Sequence, residues 1–422
     1  MTATQMIEKI KLGEYGKIFT ELYGERDQKE RFVRVLKGFI ETYGEKEVAL
    51  YSAPGRTEIC GNHTDHNNGK VIAGSVTLDV IAVAAKTDDN MIRVKSEGHK
   101  EGIVELNDLS IRKEEYNNAQ SLIRGIASAV KSEGYDIGGF CAYTSSDVLS
   151  GSGLSSSAAF EVLLGTVMNG EYCDNKMTAV KIAQIAQYAE NEYFGKPCGL
   201  MDQMASSVGG IISIDFKDPQ NPIINKVEYN FKDSKTALCI VDVGGSHADL
   251  THEYATIPAE MKAVANFFDC NVLREVPQDK FTSNIAKLRE QFDDRSVLRA
   301  MHYFAENERV DSMINYLKNK NFDGFMKINV ESGQSSFQYL QNVFCTSDIQ
   351  NQPMSIAICI AEKFLKGKGS YRVHGGGFGG TVQCFVPNDM LTEFKSEMEK
   401  VFGDGSCHII SIREKGGVKI SV

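Results

Sequence analysis

The sequence predicts a mixed α and β chain in two domains, an α/β half followed by an α+β half. Three observations carry this. β-Branched runs such as VIAGSVTLDVIAVAAKT (71–87) have strand character, segments of helical period alternate with them, and the turn-rich DPQNP (218–222) breaks the chain near its middle. The expected domains are 1–216 and 217–422.

Phe32, Val33, Leu36, Phe39, Ile40 and Tyr43 fall on one face at helical spacing, so the opening is helical. A strand follows over 48–52, and Ala53-Pro54-Gly55 is expected to end it. Residues 71–87 and 91–98 read as strands, 119–133 as a helix and 138–148 as a strand. Helices follow GSGLSSS and span about 176–193, and GGIISIDF (209–216) closes the first domain. The second half reads as a strand at 237–243, several helices from about 257 to 366, strand TVQCFVP, a helix and strand CHIISI.

Net charge is −10, which disfavours a broad nucleic-acid surface, since phosphate backbones need clustered Lys and Arg. A small phosphorylated ligand stays open to it, because a few backbone N–H groups and one or two cations suffice. The opening residues hold no apolar run of signal-peptide length, and no run is suited to a bilayer. The ten cysteines show neither CxxC pairs nor zinc spacing, and read as reduced thiols of a cytoplasmic protein. Cys198 reads as a small packing residue.

Four segments concentrate polar or glycine chemistry. GRTEICGNHTDH (55–66) sets an arginine, two histidines, an asparagine and an aspartate beside a strand. DVLSGSGLSSSAAFEV (147–162) lies between a strand and a helix; its glycines admit a ligand to the backbone, and three serines stand where a helix N-terminus attracts anions. One serine would suffice for plain N-capping, so the run favours phosphate binding. RVHGGGFGGTVQCFV (372–386) formally matches GxGxxG, but a strand follows it where a dinucleotide site needs a helix. It reads as a turn between strands that packs against another loop or a ligand. AENEYFGKPCGLMDQMAS (189–206) carries Asp202, a helix N-cap or a catalytic base, and Glu190, a surface charge if taken alone.

Together these segments resemble the galactokinases of the GHMP kinase superfamily, over nearly the whole chain. GRTEICGNHTDHNNG resembles the galactokinase signature, GSGLSSSAA the ATP motif, HGGGFGGT the third superfamily motif, CGLMDQ the catalytic-aspartate segment, and SHADLTHEY (246–254) a sugar-contact segment. The resemblance implies a two-domain GHMP kinase fold, with a left-handed crossover in the N-terminal domain and the active site in the cleft. It implies ATP and Mg²⁺, with phosphoryl transfer to the anomeric hydroxyl of galactose. By resemblance Arg56 and Asp202 are catalytic, and Asn62, His63, Thr64, Asp65, Gly199 and Tyr254 bind the sugar. Gly151, Ser152, Gly153, Leu154, Ser155, Ser156 and Ser157 hold ATP, and Ser157 and Glu190 the metal. The partners expected are a sugar and ATP, with no nucleic acid and no membrane, in a monomer.

Four departures stand out. Asn62 replaces the family's glutamate and His66 its tyrosine, a proline is missing before Ser150-Gly151, and Ala255-Thr256-Ile257 replaces arginines. The family glutamate contacts the sugar's 6-hydroxyl, so Asn62 opens the alternative of a C6-altered relative: galacturonate, L-arabinose or N-acetylgalactosamine. A non-catalytic galactose sensor is a further alternative, against which the ATP motif is complete. An NAD oxidoreductase rests on GxGxxG alone.

Overall fold

A computed structural model gives the structure of the chain and describes residues 1–148, 153–196, 198–229, 231–244 and 251–421. Three helices open it, α1 (Ala3–Leu12), α2 (Gly16–Tyr23) and α3 (Lys29–Tyr43). Strands β1 (Ala49–Cys60), β2 (Lys70–Lys86), β3 (Met91–Ser96) and β4 (Glu101–Glu105) follow, then α4 (Ala119–Ser132) and β5 (Phe140–Ser146). Next come α5 (Ser156–Tyr172), α6 (Ala179–Tyr188), α7 (Met201–Val208), β6 (Ile211–Asp215) and β7 (Ile223–Lys226). The remainder is β8 (Thr236–Asp242), α8 (Thr251–Asn266), α9 (Gln278–Ser283), α10 (Ile285–Gln291), α11 (Asp294–Lys318), α12 (Phe322–Ser335), α13 (Pro353–Leu365), β9 (Ser370–His374), β10 (Thr381–Pro387), α14 (Leu391–Phe402), β11 (Cys407–Ile410) and β12 (Val418–Ile420).

β2 organises the larger sheet. One edge pairs with β1; the other is shared, residues 70–74 with β6 and 80–86 with β5. The path runs β12-β1-β2-β5-β3-β4, antiparallel except for the parallel β3–β5 pair. The strand period of two decides what covers each face. Val80, Ala82 and Ala84 pack with Ile123 of α4 and Val162 and Leu163 of α5; Ile81, Val83 and Ala85 pack with Phe32, Leu36 and Phe39 of α3. Helix α5 is buried on nearly every side, as its apolar sequence requires.

Two expectations change here. Ala53-Pro54-Gly55 does not end the strand: β1 continues to Cys60, with a register shift between Pro54 and Arg56. At such a shift a residue lacking an N–H costs the ladder little. The split at 216/217 is not a clean division either. β7 and β12, from the second half, join the first sheet, and one core cluster holds both Ile92 and Leu238, Ile240, Phe325 and Phe385. The second sheet, β11-β8-β10-β9, turns its other face, with Cys239 and Val241, toward α13 and α14. No helix among the described residues is long and apolar enough to cross a membrane.

Candidate functional site

β1 delivers Arg56 just past the register shift. Gly55 lets the strand pass close to the next loop, for a Cβ there would collide with Leu154 O, and Arg56 N donates to that same carbonyl at 3.0 Å. Arg56 is buried. Its Nε and Nη2 donate to Asp202 Oδ1 and Oδ2, both at 2.7 Å, in a two-pronged pair, and Nη1 donates to Gly153 O. Asp202 lies in the first turn of α7, where a carboxylate suits the helix dipole. Burial pushes its pKa up, but the Arg56 charge, the bonds from Arg56 and that from Ser155 outweigh this and hold it below the usual range.

Ser155 precedes α5 at φ +56, a left-handed conformation uncommon for serine. Its hydroxyl makes no cap but donates to Asp202 Oδ2, so among the described residues α5 starts without a cap from its N-cap side chain. Plain N-capping therefore does not account for the serine run. Ser156 and Ser157 lie in the first turn, and Leu154 is fully buried below them. Ser157 Oγ donates to Glu190 Oε1 at 3.3 Å. Glu190 is 2% exposed and sits in a π-helical turn, Ala189–Phe194, that extends α6; its Oε1 also meets Lys196 Nζ at 3.2 Å. Gly151 and Ser152 lie outside the described residues, as does most of the sugar-contact segment before Tyr254.

The loop 61–69 brings His63 and Asp65 to the same place. His63 Nε2 lies 2.8 Å from Gly376 O, and burial pulls the ring's basicity down to about 4. A carbonyl only accepts, so Nε2 carries the proton and Nδ1 is left as an acceptor. Burial, then the Asp202 charge, pushes Asp65 up to about 6. Gly199 passes so close to Asp65 Oδ2 that a side chain there would displace the carboxylate. Tyr254 packs edge-on against Phe378 and donates to Gly377 O at 2.8 Å. The glycine-rich loop between β9 and β10 is thus tied down by three successive carbonyls: Gly375 O accepts from Asn62, Gly376 O from His63 and Asn342, and Gly377 O from Tyr254. It packs against the 61–69 loop, and a strand follows it.

Two expected sugar contacts are corrected. Asn62 is fully buried and its amide is spent: Nδ2 donates to Glu58 Oε1 and Gly375 O, and Oδ1 accepts from Asn342 and Ser336. Thr64 is fully buried as well, its hydroxyl donating to Lys70 O at 2.7 Å and Gly61 O at 3.0 Å to close the turn. Neither side chain is exposed to solvent. Cys198 stays a packing thiol, its acidity suppressed by burial.

Sequence reasoning missed the support behind the loop. Glu306 of α11 accepts from the backbone N–H groups of Gly61 at 3.0 Å and Asn62 at 3.3 Å; His302 Nε2 lies 2.9 Å from Asn62 O, and Tyr303 donates to Asn67 O. Arg372 pairs with Glu58 at 2.7 Å beneath it. These groups lie 236 or more positions from their partners, and only folding brings them together. Glu161 and Gln203 were also missed, although Glu161 stands one helical turn beyond Ser157 and Gln203 adjoins Asp202.

Residues 121–210 match the GHMP kinases N terminal domain, and residues 37–86 the galactokinase galactose-binding signature. The chain is 28% identical to a galactokinase of Streptomyces coelicolor, covering 82% of this chain and 87% of that one. It is 26% identical to a galactokinase of Clostridium tetani, covering 86% and 90%. Its fold resembles that of Lactococcus lactis galactokinase, solved with galactose, at a TM-score of 0.78 and 23% identity, over 91% of this chain and 98% of that one. Methanococcus jannaschii mevalonate kinase follows at 0.62 and 16%, over 87% and 98%.

Proposed function

We propose that this chain, which belongs to the GHMP kinases, is a galactokinase, moving the γ-phosphoryl group of ATP to the anomeric hydroxyl of galactose. The observation that carries the chemistry is the two-pronged Arg56–Asp202 pair standing between an uncapped helix start and the His63–Asp65 loop. Positioning and charge stabilisation supply most of the catalysis in such a transfer. The sugar O1 attacks the γ-phosphorus, the bond to the ADP oxygen breaks, and Asp202 takes the hydroxyl proton. Arg56 keeps Asp202 ionised, trading base strength for a dependable charge, and offsets charge growing between O1 and the phosphorus. His63 Nδ1 and Asp65 would accept from sugar hydroxyls, and Tyr254 and Gly199 would bound the pocket. Gly153, Leu154, Ser155 and Ser156, with Gly151 and Ser152 before them, would wrap the phosphates.

Ser157 and Glu190 would hold Mg²⁺. Their donor set fits, being hard oxygens with a cation, Lys196, already against Glu190 Oε1. When bound, the ion would neutralise phosphate charge. The ten free cysteines support a reducing, cytoplasmic setting, and we take the working unit to be a monomer.

An assay of ATP consumption with galactose, with the product resolved by ³¹P NMR, tests the reading. Phosphate on C1 is expected. Phosphate on C6, or no turnover with any aldohexose, would overturn it. The alternative of a C6-altered substrate, raised by Asn62 and His66, is less favoured: the curated relatives are galactokinases, and Asn62 is committed to the protein interior.

A further inference from the structure

Behind Ser157 and Glu190 lies a buried polar group that the proposed reaction does not use. Gln203, fully buried on α7, donates from one nitrogen to two acidic side chains: Glu190 Oε2 at 2.7 Å and Glu161 Oε2 at 3.1 Å. Glu161 is itself fully buried on α5, one turn past Ser157. Among the described residues nothing pairs with Glu161 Oε1 or Gln203 Oε1. The arrangement is therefore costly, and a function must justify it.

Its effect on Glu190 is specific. A carboxylate on a free side chain can present either oxygen. Here Oε2 is fixed from behind, leaving Oε1 toward Ser157 Oγ and Lys196 Nζ. Rotating the Gln203 amide would set its carbonyl against Glu190, so the orientation is locked by charge. Glu161 holds the other proton of the same amide group and stops the side chain swinging away. Gln203 also adjoins Asp202, so one turn of α7 sets both the proton acceptor and the clamp.

We propose that Gln203 and Glu161 are positioning residues that fix Glu190 Oε1 toward the nucleotide's metal ion. This rests on the kinase reading above.

The test compares wild type with Gln203→Leu, Glu161→Leu and Glu161→Gln. Mn²⁺·ADP binding is followed by loss of the free Mn²⁺ electron-resonance signal, and galactose binding by calorimetry without nucleotide. Gln203→Leu should weaken Mn²⁺·ADP binding by about tenfold or more, with galactose affinity unchanged within about twofold. Glu161→Leu should weaken it less. Glu161→Gln should bind as wild type, since its amide can accept from Gln203 Nε2 and donate to the unpartnered Gln203 Oε1. Wild-type Mn²⁺·ADP affinity in both leucine variants, or equal losses of galactose and metal binding, would overturn the proposal while leaving the kinase reading intact. If Gln203→Leu does not fold, the contrast between the two Glu161 variants decides alone. Failure of wild type itself to bind Mn²⁺·ADP would instead remove the kinase reading and this inference together.

Discussion

Asn62 Nδ2 donates to Glu58 Oε1 at 2.9 Å, and both side chains are shut away from solvent. Glu58 pairs in turn with Arg372, although burial still pushes its pKa up. Asn62 is thus one link in a chain that ties β1, the 61–69 loop and the glycine-rich loop.

A charge at this position should therefore act on stability rather than selectivity. Asn62→Glu would set a second carboxylate against Glu58 and remove the donor that Gly375 O uses. The expected cost is about 3 kcal/mol or more, read by denaturant unfolding. Unchanged stability together with a lower KM for galactose would return Asn62 to the sugar pocket.

Asp202→Asn should leave galactose binding within about threefold and lower kcat by roughly 10²–10⁴, the usual worth of a positioned base. Amide and carboxylate share a shape, so the Arg56 contact partly survives while the proton acceptor is lost. Calorimetry with galactose and single-turnover kinetics separate the two effects. A kcat near that of wild type would show that Asp202 only orients the hydroxyl.

Asp65 titrates in a useful range. Burial and the Asp202 charge raise it to about 6 from an ordinary value near 3.8. The folded chain then keeps a proton that the unfolded chain has released between those values, so stability falls as pH rises through that window. Asp65→Asn should be more stable than wild type at pH 7–8, by about 1–2 kcal/mol after allowing for partial exposure, and equal to it below about pH 4. The same ionisation should give KM for galactose a limb near pH 6, because only the carboxylate accepts from two hydroxyls. Asp202, held low, adds no limb there. A pH-independent KM would take Asp65 out of sugar binding.

What the sequence disclosed follows from where each contact lies along the chain. Helix period, strand alternation and the serine run are local, and α3, β2, β5 and α5 appear where local pattern set them. Pro54 misled because a bulge is made by the partner strand, which local pattern does not contain. Arg56, Asp202, Ser157 and Glu190 are singled out by motifs, and the fold sets each pair in contact. The burial of Asn62 is not, since it depends on Asn342 and Ser336, residues that folding alone brings near.

Glu306 gives the sharpest test of that distant support. Its fully buried carboxylate accepts from Gly61 N, Asn62 N and Ser332 Oγ and pairs with the partly buried Arg309 at 2.6 Å. Burial alone would raise its pKa, but Arg309, His302 and Arg372 overcome this and hold it far below the ordinary range. The sign is that of a depressed carboxylate: its contribution is present at neutral pH and is lost only in strong acid. Glu306→Gln keeps the size and removes the charge. It also turns amide protons toward Arg309 or toward the two backbone N–H groups, which need an acceptor. The expected loss is about 3 kcal/mol of stability. Because the two N–H groups begin the loop that carries His63 and Asp65, KM for galactose should rise severalfold while KM for ATP stays near wild type. Adding galactose should then recover part of the melting temperature, since sugar binding would restore the loop. A variant of lowered stability with an unchanged KM for galactose would show that Glu306 holds the core together without shaping the sugar site.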